Sequence, residues 1–193
     1  MNLTSFLVYC VIVTFTPGPS NLVILSSVQH AGVRKTMSYV WGATLAFGLL
    51  LAASAYLNHL LADMLPGILR TIQIIGCVYM LYLAFQIYKM GSTESTGGHT
   101  TGFINGLLMQ FVNPKVILFT FTVIPSYVLP YYNNPQTSFI FVLLITFIGF
   151  LAYSSWLVFG AVFRTWLQKH RKIANTLMAL FLVYSAIMVS GII

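Results

Sequence analysis

The stretch Thr16-Pro17-Gly18-Pro19-Ser20-Asn21 interrupts a hydrophobic segment near the start of the chain and decides its architecture. Residues 1–33 contain no Asp, Glu, Lys or Arg, and a helix that crosses a bilayer needs about 20 mainly apolar residues. Because proline removes a backbone donor and clashes with the preceding turn, this stretch predicts a break within a transmembrane helix. Freed backbone groups are tolerated at that depth only against protein or a wet cavity.

A second break of the same kind occurs at Asn113-Pro114-Lys115, inside another long apolar region. A single proline kink is more often a packing feature than part of a binding site. Two kinks at matching depth, each beside polar side chains, favour a central site, because paired interruptions in two inverted halves are typical of secondary transporters.

The composition places the chain in a membrane. Of its 193 residues 59% are hydrophobic and only 6% are charged, whereas soluble domains carry about 25% charged residues. This excludes a soluble enzyme. The excess of 9 basic over 2 acidic residues forms no single stripe, so it does not indicate nucleic-acid binding. The expected partners are the lipid bilayer and a small-molecule substrate.

The charged residues divide the chain into six predicted transmembrane helices within one domain, residues 1–193. The continuous apolar runs lack the alternation of a β-barrel, and the first segment lacks the basic start of a signal peptide, so we keep it in the mature protein. We predict an all-α membrane protein built from two inverted three-helix repeats, about 1–95 and 100–193, each with a broken first helix. The predicted helices cover 3–29, 37–61, 67–89, 102–129, 138–162 and 173–192.

The basic residues also predict the orientation of the chain. Seven of the nine lie in the connections after the first, third and fifth helices, and short loops rich in Lys and Arg stay in the cytoplasm. Both termini are therefore expected outside the cell. The remaining basic residues are Arg70, at the start of the predicted third helix, and Lys115, which alone lies deep within a span.

The two breaks resemble paired signatures of the LysE/RhtB family of bacterial amino-acid exporters. The resemblance rests on residues 16–21, Gly32 and Arg34, and on Gly106-Leu107-Leu108 leading to residues 113–115. Within the family, residues 110–113 and Tyr127-Val128-Leu129-Pro130 are most similar to members that export cysteine and O-acetylserine. The resemblance implies export of small neutral amino acids across the bacterial inner membrane, with exchange against protons as the energy source.

Lys115 is the first candidate site residue, because a cation near the bilayer centre costs at least about 2.5 kcal/mol and usually faces a wet cavity. It is expected to bind a substrate carboxylate; the alternative is a side chain that only snorkels to an interface. Asn21 and Asn113 offer the donors and acceptors that a zwitterion needs, although each could instead cap a helix.

The other residues of the two breaks complete the candidate site. The resemblance implies that Thr16 and Ser20 contact the substrate, although the family often has Asn at the position of Ser20. Pro17, Gly18, Pro19 and Pro114 are expected to shape the site, with Gly18 free to adopt a positive φ.

No carboxylate lies within a predicted span, so the sequence does not identify the residue that carries the proton. His30 titrates near neutrality but could simply be solvated, Asp63 could pair with Arg70, and Lys115 itself could cycle. The sequence carries no zinc, Walker or nucleophile-elbow motif, so no metal, cofactor or ATP drive is expected.

Small residues indicate where helices approach closely. Ser38, Gly42 and Ala46 share a helix face, and Gly102 and Gly106 form a GxxxG pair, which permits close contact within the bundle or in a homo-oligomer. Cys10 and Cys77 are expected to be unpaired core residues. The competing hypotheses are an exporter, a non-transporting membrane scaffold and, least favoured, an intramembrane enzyme.

Overall fold

The computed structural model describes the backbone of residues 2–90, 102–132 and 134–190, and the side chains of these residues except 58–70, 72–73, 90 and 188–190. All regular structure in these ranges is helical, as the sequence predicts. The helices are α1 (Leu3–Phe15), α2 (Pro19–Tyr56), α3 (Asn58–Met90), α4 (Phe103–Val112), α5 (Pro114–Val123) with a π-helical turn at Ile124–Val128, α6 (Pro135–Val162), α7 (Arg164–Lys169) and α8 (Arg171–Ser190).

Both predicted helix breaks are confirmed. Residues 16–18 separate α1 from α2, and Asn113 alone separates α4 from α5, where the axis bends by 68°. Pro19 and Pro114 each occupy the first turn of the helix that follows. The missing N–H costs nothing there, because first-turn donors have no partner within the helix.

Where the sequence predicts a loop between the first two spans, α2 contains a kink of a single residue. Gly32, with φ 80° and ψ 171°, is the one non-helical position within α2, and its positive φ is one that glycine adopts without strain. Before the kink, Val28 lies against Gly160 of α6; after it, Trp41 stacks on Phe150 and Gly48 faces Thr146. The later part of α2 therefore runs antiparallel to α6.

The predicted boundary between the second and third spans is wrong. Only Leu57 separates α2 from α3, and α3 includes the positions of Asp63, Pro66 and Arg70. Pro66 lies inside α3, although it falls in the connection that the sequence predicts between residues 61 and 67. The φ of proline is helical, so the helix continues with the loss of one backbone hydrogen bond. The short α7 also occupies part of the connection predicted between the fifth and sixth spans.

Helix α2 is the centre of the bundle. Residues 19–29 are all buried, and α2 packs most extensively against α6 and α4, while α3 packs mainly on α8. A Cβ at Gly42 would overlap the Phe103 carbonyl oxygen, and one at Gly106 would overlap that of Tyr39. These two predicted small-residue positions thus form one close contact inside the bundle, between α2 and α4.

Two of the described helices, α2 and α6, are long and apolar enough to cross a membrane, and α4 together with α5 and its π turn makes a third span if the bent pair is taken as one. Shorter apolar helices lie at Leu3–Phe15 and Ile74–Lys89. Cys10 is buried, Cys77 is partly buried, and both are free, as expected.

Candidate functional site

The two helix breaks meet at one cavity in the middle of the bundle. Its polar wall consists of Ser20 and Asn21 from the start of α2 and Asn113 and Lys115 from the second break. Its apolar lining includes the rings of Phe47 and Phe119, which stack with 5.9 Å between their centroids. The site is therefore amphipathic, with one cation among the lining residues whose side chains the structure describes.

The Lys115 ammonium lies on the backbone of the first break. Its Nζ donates to the Thr16 carbonyl at 2.8 Å, to Thr16 Oγ1 at 3.0 Å and, more weakly, to the Pro17 carbonyl at 3.4 Å. These oxygens follow the C-terminal end of α1, where the helix dipole favours a cation. The side chain thus bridges the two breaks.

The remaining carbonyls freed at the first break also have partners. Asn21 Nδ2 donates to the Thr14 carbonyl at 3.2 Å and to that of Thr16 at 2.9 Å, and Trp156 Nε1 donates to the Phe15 carbonyl at 3.1 Å. Buried backbone acceptors require such partners in a membrane. The Asn21 Oδ1 atom, by contrast, is buried with no hydrogen-bond partner in the described part of the chain.

Asn113 has two functions at the second break. Its Oδ1 accepts the backbone N–H of Lys115 at 3.1 Å and so caps α5, while its Nδ2 donates to Ser20 Oγ at 2.8 Å. The helix cap that the sequence offered as the alternative role of Asn113 is therefore present, together with a hydrogen bond to the first break.

Gly18 has a role that differs from the predicted one. Its φ is −168°, an extended conformation open to any residue, so the expected positive φ is wrong. A Cβ at this position would lie 2.9 Å from Lys115 Cδ and 3.2 Å from Lys115 Nζ. A larger residue at position 18 would displace the lysine side chain, which packs against this glycine.

The cavity is small in this conformation. Its free volume is about 30 Å³, which suffices for one or two water molecules but not for an amino acid. A second cavity of about 200 Å³ also borders Gly18 and Lys115, with Met80 of α3 and Tyr184 of α8 in its wall. Lys115 therefore stands at the boundary of both cavities.

Comparison with known proteins identifies the family of the chain. Residues 11–190 match the LysE type translocator family. The chain belongs to the LysE translocator family.

The similarity to curated relatives extends over nearly the whole length of the translocator. A cysteine/O-acetylserine efflux protein of Klebsiella pneumoniae is 32% identical over 96% of this chain and 95% of its own length. Proteins of the same name from Salmonella choleraesuis and Escherichia coli O1:K1 are each 29% identical, over 97% and 96% of this chain and 96% and 95% of their own lengths. No solved structure matches. Family membership makes the chain a transporter and not an enzyme.

The translocator brings together most of the predicted site residues. Lys115, Asn113, Asn21 and Ser20 line the first cavity, and Thr16 reaches it through its hydrogen bonds to Lys115. The predicted shaping residues Pro17, Gly18, Pro19 and Pro114 line the second cavity.

Of the two predicted proton carriers, His30 is described by the structure and is not among the residues that line either cavity. His30 is half-buried two residues before the Gly32 kink, and its Nε2 has no partner among the described residues. Asp63 belongs to α3, and its side chain lies outside the described residues.

Sequence reasoning missed Gln110 and Tyr153. Gln110 is fully buried, and its Oε1 accepts hydrogen bonds from Ser20 Oγ and from the Tyr153 hydroxyl, both at 3.1 Å. Tyr153 also lines the cavity of the translocator. The available signal was the polarity of Gln110 inside an apolar segment, three residues before the second break.

Proposed function

We propose that this translocator is a secondary exporter of small neutral amino acids, with cysteine and O-acetylserine as favoured substrates and protons as the exchanged ion. The observation that carries the proposal is the bridge from Lys115 Nζ to the first helix break, beside a cavity lined by Asn21 and Asn113. The names of the relatives support the choice of substrates.

The contacts between helices support six spans in two inverted repeats. Phe6 packs on Phe141 and Phe15 on Trp156, so the first broken span, α1 with the start of α2, runs parallel to α6. Gly106 of α4 meets Tyr39 of α2, and Phe119 of α5 stacks on Phe47. The second broken span therefore runs parallel to the later part of α2 and opposite to the first broken span.

The polar wall suggests how a zwitterion binds. Its carboxylate replaces the break carbonyls as the partner of Lys115, where the N-terminal end of α5 adds a favourable dipole. Its ammonium donates to the unpaired Asn21 Oδ1, which satisfies a buried acceptor that otherwise lacks a partner. One substrate thus uses both halves of the site.

The apolar wall limits the side chain of the substrate. Phe47, Phe119 and Val116 are buried and line the cavity, so a short neutral side chain fits against them and a charged one is left without a partner. Since the present cavity is too small for an amino acid, loading requires Lys115 to leave Thr16 and the two halves to separate. Alternating access follows if they separate on one side at a time.

The decisive experiment is counterflow of labelled amino acids in proteoliposomes that contain only this protein, with and without a pH gradient. We expect labelled cysteine to exchange with unlabelled cysteine and O-acetylserine, and a pH gradient to drive net movement. Absence of exchange for every amino acid would favour the non-transporting scaffold. Exchange without any response to the gradient would reject proton coupling.

His30 and Asp63 are the proposed proton carriers. If either acts, His30→Gln or Asp63→Asn abolishes the response to the pH gradient but leaves counterflow intact, because exchange of like substrates moves no net proton. A full gradient response in both variants would leave Lys115 as the proton carrier to test.

We also propose that the protein lies in the bacterial inner membrane with both termini outside. Asn2 and Lys172 are exposed and lie at opposite ends of this arrangement. In a variant without Cys10 and Cys77, an impermeant thiol reagent should label Asn2→Cys in intact cells and Lys172→Cys only after permeabilisation. The reverse pattern would invert the proposed orientation.

A further inference from the structure

A continuous series of hydrogen bonds with a fixed direction links the second break to α4. The backbone N–H of Lys115 donates to Asn113 Oδ1, Asn113 Nδ2 donates to Ser20 Oγ, the Ser20 hydroxyl donates to Gln110 Oε1, and Gln110 Nε2 donates to the Gly106 carbonyl at 3.3 Å. A backbone N–H can only donate and a carbonyl oxygen can only accept. These two end groups therefore leave each side chain between them only one orientation.

The same constraint fixes the hydroxyl of Tyr153. Because Gln110 Nε2 is held by the Gly106 carbonyl, Gln110 presents its Oε1 atom to Tyr153, and this oxygen can only accept. The Tyr153 hydroxyl therefore donates its hydrogen to Gln110, and its oxygen can only accept a further hydrogen bond. Tyr153 lines the cavity that Lys115 and Asn21 also line.

We propose that Tyr153 is a specificity-determining residue of the exporter, and that Gln110 is the positioning residue that turns the Tyr153 hydroxyl into a hydrogen-bond acceptor for the substrate side chain. The proposal rests on the proposed function and deepens it. It predicts preference for small neutral side chains that carry a donor, such as a thiol or hydroxyl, over side chains of similar size that carry none.

The preference separates cysteine from 2-aminobutyrate, in which a methyl group replaces the thiol with little change in shape. O-acetylserine has a larger side chain that carries ester oxygens and no donor, so it binds without this hydrogen bond and serves as a reference substrate. A neutral hydrogen bond changes affinity by about three- to tenfold. We therefore expect cysteine to have a KM for counterflow lower than that of 2-aminobutyrate by this factor.

The test is the ratio of these two KM values in Tyr153→Phe. Phenylalanine keeps the ring, and Gln110 Oε1 keeps its bond from Ser20, so the fold should persist. We expect the ratio to fall to about one, with KM for 2-aminobutyrate and O-acetylserine unchanged. Tyr131→Phe, at an exposed position outside the helices, is the matched control and should retain the wild-type ratio.

A second variant tests the positioning role. Gln110→Met has a similar volume but releases the Tyr153 hydroxyl, which can then donate as well as accept, so the ratio should fall here too. An unchanged ratio in Tyr153→Phe, or equal losses for all substrates, would overturn the inference while leaving amino-acid export intact. If no amino acid shows counterflow in the unmodified protein, the proposed function fails first.

Discussion

Lys115 is the residue on which the proposed binding mode depends, because it is the only charged side chain among the described residues that line the central cavity. Lys115→Ala should reduce counterflow to the background of empty vesicles, since no other cation at the cavity can receive the substrate carboxylate. Membrane abundance should be unchanged, because its hydrogen bonds are to oxygens of the exposed Thr16 and Pro17.

Lys35→Ala is the matched control for Lys115→Ala. It removes an equal charge from an exposed position just after the Gly32 kink, and it should transport normally. Full counterflow in Lys115→Ala at normal abundance would remove Lys115 from the proposed mechanism.

Gly18 offers a test of the same site that leaves every polar group in place. The methyl group of Gly18→Ala would meet Lys115 Cδ at 2.9 Å, and the extended backbone imposes no strain. The flexible lysine can move, so we expect normal thermal stability in detergent but a several-fold rise in KM. Gly18→Val should raise KM further, and an unchanged KM in both would show that the lysine position is unimportant.

Residues next to the breaks could be predicted from the sequence, whereas their distant partners could not. A charge inside an apolar span and an amide beside a proline are local signals, and these identify Lys115, Asn113 and Asn21. Gln110 and Tyr153 are joined across 43 positions of sequence, and only packing of α4 against α6 brings them together. The Trp156 bond to the Phe15 carbonyl spans 141 positions and has no local signature.

At the scale of elements, backbone chemistry again separates what could be predicted from what could not. Proline breaks a helix whatever surrounds it, so both breaks were predictable. The reversal at Gly32 was predicted as a loop because Arg34 and Lys35 suggested a solvated connection. In the structure the kink consists of one residue, because Gly32 adopts a φ of 80° and the helix continues directly after it.

The close crossing of α2 and α4 depends on two glycines. In Gly106→Ala the added methyl group would overlap the Tyr39 carbonyl oxygen, which is backbone and cannot rotate away. Forcing such an overlap typically costs about 1–3 kcal/mol. We therefore expect a lower melting temperature in detergent and lower membrane abundance.

Gly48→Ala is the control for this crossing. It adds the same group to α2, but the nearest atom is the Thr146 hydroxyl at 3.1 Å, on a side chain that can rotate, so its melting temperature should change less. Equal melting temperatures for Gly106→Ala and the unmodified protein would contradict the close backbone contact.

At the scale of the whole molecule, helices pair with their counterparts in the other half. The second helices of the proposed repeats, the later part of α2 and α6, pack on each other, as do the third helices, α3 and α8, and the two breaks meet at Lys115. This pairing is expected for two repeats around a pseudo-two-fold axis. The substrate would then bind on that axis, where both halves contribute.

Rocking of the halves requires the contact between α2 and α6 to change, and one position allows this to be tested outside the site. A Cβ at Gly48 would lie 3.8 Å from Thr146 Cβ, the usual separation in a disulfide. In a background without Cys10 and Cys77, the double variant Gly48→Cys with Thr146→Cys should form a disulfide on oxidation. Counterflow should then stop, and it should return when the disulfide is reduced. Oxidant should not change counterflow in either single cysteine variant. Undiminished counterflow by the fully cross-linked protein would show that substrate passes without movement at this contact, because a disulfide holds these two helices at one separation.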